Sequence, residues 1–180
     1  MSSDAFTNSK NLIWVELFEG LVHIGEKAFG GCTSLEYIKI PSGVNEIPLG
    51  AFQDCEGLIE VEFHDGITVI SESAFQNCRA LRHIKVRSRE EGECSIKTAS
   101  NDCNLVLWNG LEEIGDNTFK GCLSLKRIKI SSSDIGIGEL ALCDLEEVDF
   151  QEGVKEIVED VYNRSSLKRV KIPSTVESIP

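Results

Sequence analysis

The sequence predicts a β-rich tandem-repeat solenoid, and three observations carry that prediction. Six columns recur at a period of 23 residues: Phe29, Phe52 and Phe75; Cys32, Cys55 and Cys78; Leu35, Leu58 and Leu81; Ile38, Val61 and Ile84; Ile40, Phe63 and Val86; Ile24, Ile47 and Ile70. Within each copy, a Leu-x-x-Ile-x-Ile stretch alternates in the manner of a short strand with one buried side. Between copies, polar-Gly pairs mark corners. One such unit cannot bury its apolar side alone, whereas stacked units can, each column becoming a ladder through a shared core.

The period runs both ways from the clearest copies. Backwards, Ala5-Phe6, Leu12, Val15 and Leu17 fall in register, with Ser9 in the cysteine column. Forwards, Phe119, Cys122, Leu125, Ile128 and Ile130 form a good copy 44 residues after the Phe75 copy, so a shortened repeat fits between them. There Leu105 and Leu107 keep the strand pattern while the Phe and Cys columns are lost. Leu145, Val148 and Phe150 follow, then Tyr162, Leu167, Val170, Ile172, Pro173, Val176 and Ile179. The expectation is a single solenoid over 1–180 of about eight rungs, degenerate around 87–103 and 131–144.

Each segment has a physical task. The Leu-x-x-Ile-x-Ile strands of successive rungs are expected to lie parallel, ~4.8 Å apart. At Glu19-Gly20, Ser42-Gly43, Asp65-Gly66, Asn109-Gly110 and Glu152-Gly153, glycine is expected to supply the positive φ of a sharp corner. Val-x-x-Ile, as in Val44 and Ile47, makes a second short extended segment. Ala-Phe-x-x-Cys-x-x-Leu then fits one tight helical or 3₁₀ turn leading to the next strand.

The pattern Ala-Phe-x-x-Cys-x-x-Leu-x-x-Ile-x-Ile-Pro-x-x-Val-x-x-Ile, best seen from Ala28 to Ile47, resembles the BspA-like class of leucine-rich repeats. The resemblance covers essentially the whole chain, with departures at 87–103 and 131–144. It implies an α/β-type leucine-rich-repeat solenoid with a parallel sheet on the concave face and short extended segments and turns on the convex side. Many members resemble cell-surface adhesins or interaction proteins. The motif itself is structural, so it transfers a fold more readily than a partner or a location.

Composition limits the function classes. The formal net charge is -12, which opposes binding to nucleic acid or to an anionic membrane surface. No apolar run approaches the length of a bilayer span, and the start Met-Ser-Ser-Asp-Ala-Phe lacks the basic and apolar regions of a secretory signal. Cys32, Cys55, Cys78 and Cys122 share one core column, where a free thiol behaves as a small hydrophobe. Ser9 and Ser165 fill the same column, so a small side chain suffices. Cys-x-x-Cys pairs are missing, and no metal ligand set is expected. Seven cysteines, an odd number, favour a reducing compartment such as the cytoplasm, while the resemblance keeps the cell surface open.

No catalytic residue and no cofactor is expected. His23 and His64 fall at polar turn positions where exposure is the default, and His83 at an outward strand position. Gly136-Ile137-Gly138 is too little for a phosphate loop. Asn163-Arg164-Ser165 is a formal glycosylation sequon, but Ser165 lies in the core-facing column.

The outward strand positions form the candidate binding face. Its two most outward columns hold Trp14, Tyr37, Glu60, Glu62, His83, Lys85, Arg127 and Lys129, and continue through Glu147, Asp149, Arg169 and Lys171. With Glu16 and Lys39 included, the face carries six bases and five acids, nearly balanced within an acidic chain. Acidic and basic rungs alternate, which keeps the ladder in register and equally suits a mosaic binding surface. Trp14 and Tyr37 are adjacent there, with Trp108 just past its strand in the Pro41 column; Trp, Tyr and Arg are types enriched at binding hot spots. Trp14 could equally cap an exposed solenoid end.

The expected function is therefore a non-catalytic scaffold that binds a protein partner through the concave strand face. The alternative is a structural spacer or cell-surface adhesin module within a larger protein. Neither end carries a polar capping unit, which points to a longer array or to end-to-end self-association. The 87–103 stretch reads as a loose convex loop or as a dedicated binding loop.

Overall fold

The structure, a computed structural model, describes residues 1–87, 104–108, 110–130, 135–137, 145–155, 157 and 166–177. In chain order the strands are β1 (Tyr37–Lys39), β2 (Glu46–Ile47), β3 (Glu60–His64), β4 (Val69–Ile70), β5 (His83–Arg87), β6 (Asn104–Val106), β7 (Glu113–Ile114), β8 (Arg127–Ile130), β9 (Gly136–Ile137), β10 (Glu147–Phe150) and β11 (Arg169–Lys171). Every pairing among them is parallel. They form a β-solenoid with no helix among the described residues.

Three walls enclose the core. The first holds the Leu-x-x-Ile-x-Ile strands, in two pairing groups ordered β1-β3-β5 and β11-β10-β8-β6; Trp14 bridges to Tyr37 at its start. The second wall holds the Val-x-x-Ile segments, ordered β2-β4-β7-β9. The third is the Ala-Phe-x-x-Cys ribbon. Register in the first wall follows the repeat columns, with Tyr37 opposite Glu60 and Glu60 opposite His83. Ile38, Val61, Leu105, Ile128 and Val148 point inward and are buried, as are Ile24, Ile47, Ile70 and Ile114 from the second wall.

The third wall departs from expectation. Ala-Phe-x-x-Cys forms successive tight turns rather than a helical or 3₁₀ turn, because a left-handed residue stands at each end of the ribbon. These are Lys27 and Gly31, Gly50 and Asp54, Ser73 and Asn77, and Asn117 and Gly121. A right-handed helix cannot pass through such positions. The reversals aim alternate amides along the solenoid axis. Lys27, Phe29 and Gly31 donate to the carbonyls of Leu49, Ala51 and Gln53 in the next rung at 2.8–2.9 Å. The amides between them close turns, as Gly30 does on Lys27 and Cys32 on Phe29. The same three-bond stitch recurs from Gly50, Phe52 and Asp54 to Glu72, Ala74 and Gln76.

Inside this ribbon the phenylalanines stack face to face. Phe6–Phe29, Phe29–Phe52, Phe52–Phe75 and Phe75–Phe119 have centroids 5.3, 5.4, 5.2 and 5.8 Å apart. The last pair spans 44 residues, and β4 pairs directly with β7 over the same gap. The second and third walls therefore skip the irregular stretch, whereas the first wall gains a strand there. β5 and β6 lie against each other without pairing.

The extra strand opens a wedge at the corner, and Trp108 fills it. Its indole is buried against Phe63, with centroids 5.6 Å apart, and its Nε1–H donates to Ile67 O at 2.9 Å. Trp108 is thus a core residue, not part of an exposed aromatic surface. His64, two strands earlier in the same column, is buried too, contrary to its expected exposure. It donates from Nε2 to Val44 O at 2.8 Å and accepts the Gly66 N–H at Nδ1 at 3.1 Å, which fixes the neutral ring. A corner residue with a ring N–H can satisfy a carbonyl that the corner would otherwise leave orphaned.

The corner glycines also differ from expectation. Gly110 and Gly153 have positive φ, but Gly20, Gly43 and Gly66 do not. At Gly43 the need is space: a Cβ would lie 2.9 Å from Leu21 O.

Phe52 lies between two stacked rings and is fully buried. Phe52→Ala should cost about 3–5 kcal/mol, as large-to-small core changes do, measured by denaturant melts; a loss below ~1 kcal/mol would contradict the stack as a source of stability.

Candidate functional site

The first wall turns its non-core side outward, and the strand pleat decides which residues appear there. In β1, β5, β8 and β10 outward and buried residues alternate. Tyr37, Glu60, His83, Lys85, Arg127 and Lys129 occupy the outward positions, each half-buried by its neighbours. Trp14 is 61% exposed at the edge. Parallel register brings Trp14, Tyr37, Glu60 and His83 into one row, and Lys39, Glu62 and Lys85 into the next. Arg127 and Lys129 stand on β8, beyond the break between β5 and β6, so they belong to a separate pairing group.

Glu62 was expected to be exposed, but it is only 5% exposed. Its Oε2 accepts from Tyr37 OH at 3.2 Å and from Arg87 Nη2 at 2.9 Å, and its Oε1 lies 2.6 Å from Arg87 Nε. The long side chains on both flanking strands close over the carboxylate. Burial, then the Glu62 charge, pushes the Tyr37 phenol above its ordinary pKa. Glu62 therefore holds Tyr37 and Arg87 in place rather than offering itself to a ligand.

Other charges on this face are also consumed internally. Lys85 pairs with Glu60 at 2.7 Å. Glu147 is clasped between Arg127, at 2.7 Å, and Arg169. Just beside the face, Glu146 sits between Lys126 and Lys168 at 3.1 and 2.7 Å, and hydrogen bonds from those lysines hold its carboxyl below the usual pKa. Cross-strand pairs of the Lys85–Glu60 kind each contribute roughly 0.2–1 kcal/mol. The acidic excess lies elsewhere: Glu46, Glu72, Glu112, Glu113 and Asp116 are exposed on the second and third walls.

What remains open is the N-terminal end of the face. Trp14, Glu16, Phe18, Glu19, Tyr37 and Lys39 line a groove of about 220 Å³. Lys39 pairs across its rim with Glu19 at 2.7 Å, and that bond holds the Glu19 carboxyl below its usual pKa. Periodicity alone does not single out Phe18; its corner position, shared with Pro41 and His64, marks it only once neighbouring rungs are stacked. The 87–103 loop and the Asn163-Arg164-Ser165 sequon lie, but for Arg87, outside the described residues.

The thiol column offers no reactive centre. Cys32, Cys55, Cys78 and Cys122 are free and buried. Each donates to the carbonyl of a phenylalanine one rung back: Phe6, Phe29, Phe52 and Phe75, at 3.1–3.2 Å. The column therefore requires a donor as well as a small side chain, which is why serine substitutes there. Burial pushes the Cys55 thiol up to about 12 and the Cys78 thiol well above its ordinary value.

These thiols should resist alkylation in the native state and react on unfolding. Raised folded-state pKa values also set a sign: the unfolded chain releases these protons first as pH rises. The stability they contribute is complete below pH 9 and is lost between pH 9 and about 12. Melts across that range check it, with Cys55→Ser expected to flatten the decline.

Comparison with known proteins places this geometry. The family described as the BspA type leucine-rich repeat region matches residues 1–103 and 92–180, in 6 copies. A leucine-rich repeat protein from Bacteroides ovatus ATCC 8483 shares the fold at a TM-score of 0.62 and 23% identity, over 92% of this chain and 44% of that one. The chain thus spans less than half of that protein's length. A leucine rich cell surface protein from Faecalibacterium prausnitzii A2-165 is 21% identical over 99% of this chain and 71% of that one, with a TM-score of 0.31. No curated protein matches the chain.

Proposed function

The chain belongs to the BspA-type leucine-rich repeat family, and from that premise we propose that it is a non-catalytic module that binds a protein partner across its strand face. One observation carries the proposal: the exposed Trp14 stands beside Tyr37 over an open groove, on a wall whose other charges are largely paired among themselves. Aromatic anchors rimmed by satisfied polar groups are the usual composition of a binding hot spot. Near charge balance lets the face approach another protein without the repulsion that the acidic walls impose. The contact residues in this reading are Trp14, Tyr37, Glu60, His83, Lys85, Arg127 and Lys129, with Glu62 acting through Tyr37.

A second reading, a structural spacer, is favoured by the ion-pair ladder itself, since it turns the face's charges inward to register. The two differ in what the aromatic corner does. The binding proposal also sets the chain in a reducing compartment, because four thiols stand free. Finding the full-length protein at an oxidising exterior would contradict that part.

With a partner captured by pull-down, Tyr37→Ala should weaken binding by roughly tenfold or more and leave the melting curve nearly unchanged. Charge reversal at Lys129 should weaken it less. Reversal at Glu112 and Glu113 on the second wall should have no effect. Titration calorimetry reads all three; loss of binding on the Glu112 and Glu113 changes alone would move the site to another wall.

A further inference from the structure

We propose that the protein partner presents an acidic side chain to the strand face over Val106, where its carboxylate completes a row of alternating charge between Lys85 and Lys129. The proposal rests on the strand-face reading above and adds what the partner must carry. It starts from the second outward row of the first wall. On β1, β3 and β5 that row holds Lys39, Glu62 and Lys85. On β8, β10 and β11 it holds Lys129, Asp149 and Lys171. Sign alternates within both triplets. Between them stands β6, whose residue in this row is Val106, in register with Lys129. Leu105 beside it is the buried equivalent of Ile84 and Ile128, so the pleat that turns Lys85 and Lys129 outward turns Val106 outward too. Alternation calls for an acid there, and the chain supplies a half-buried valine.

The neighbouring charges leave one cation uncommitted. Lys85 is held by Glu60 and Arg127 by Glu147, each at 2.7 Å. Lys129 has no ion pair and no side-chain hydrogen bond among the described residues, although Asp149 stands opposite it on β10. Asp149 lies 3.6 Å from Lys171 instead. Because β6 pairs with β8, a carboxylate over Val106 stands ~4.8 Å from the Lys129 column, within reach of an ion pair once the lysine turns toward it. The methylenes of a glutamate would cover the open part of Val106. The place lies inside the array, with β3 beyond β5 and β10 beyond β8. The outward residues of β8, β10 and β11 sum to four bases and two acids in a chain of net charge -12. This part of the wall therefore draws an acidic segment that the other walls repel. A single missing acid suits a sparsely charged protein segment. A nucleic acid brings a charge at every residue against the whole acidic chain.

Titration of the isotope-labelled chain with triglutamate, followed by amide NMR shifts, tests this. The expected result is saturable shifts at the Val106 and Lys129 amides, weakened by added salt and absent with triglutamine. Val106→Glu supplies the missing acid from within and should raise the Kd roughly tenfold, as should Lys129→Gln, since the ion pair is the main contact of so small a probe. Val106→Gln should bind like the parent, as should Lys10→Gln at an exposed lysine of the first rung. Val106→Glu repeats the acid that β3 and β10 carry in this row, so it should melt like the parent; Lys129→Gln keeps the test decisive if it does not. No saturable shift, shifts centred on another wall, or Val106→Glu and Lys129→Gln binding like the parent would each overturn the proposal. So would inorganic triphosphate binding at the same amides more tightly than triglutamate. With a captured partner, sensitivity to Tyr37→Ala but not to Val106→Glu would overturn this inference alone, and insensitivity to both would overturn the strand-face reading as well.

Discussion

The constraint on which this structure depends is the pairing of the turn ribbon with itself from rung to rung. A chain that reverses direction every few residues exposes many backbone amides and carbonyls, and burying them unpaired would cost more than the apolar columns return. Left-handed residues at both ends of each ribbon solve this by aiming alternate amides at the next rung. Once those bonds form, equivalent residues must lie one above another. The phenylalanine stack, the thiol-to-carbonyl bonds and the strand register all follow from that alignment.

The same constraint explains the residues that do not look like solenoid parts. Cysteine suits its column because it is small and can give a proton to a phenylalanine carbonyl one rung back. His64 and Trp108 suit the corner because each carries a ring N–H that reaches a carbonyl on the second wall. Trp108 has the further task of filling the wedge created where the first wall gains a strand that the other two walls skip. On the strand face, alternation of charge serves register first. The open part of the face is correspondingly concentrated at the aromatic corner of Trp14, Phe18 and Tyr37.

Much of this was legible in the sequence. The period alone places Ile38, Phe52 and Cys55 in the core and Tyr37, Glu60 and His83 in one outward row. Periodicity reports equivalence between rungs, however, and not what passes between them. The burial of Glu62 depends on Tyr37 and Arg87 folding over it from neighbouring strands, which no single repeat encodes. His64 reads as a polar turn residue until its corner is stacked on Val44. The left-handed positions were partly visible: Gly31, Gly50, Asp54, Asn77, Asn117 and Gly121 are types that tolerate positive φ. Lys27 and Ser73 masked the pattern, and three-residue apolar spacing suggested a helical turn instead.

The central claim is that the Ala-Phe-x-x-Cys ribbon is a hydrogen-bonded wall and not a surface loop. Native-state hydrogen exchange tests it most directly, because the amides of Phe29, Phe52 and Phe75 have no partner in their own turn and depend on the next rung. The account predicts that these amides exchange only through global unfolding, as slowly as Val61 in the centre of the first wall. Exchange at the rate of a solvated turn, while Val61 stays protected, would contradict it.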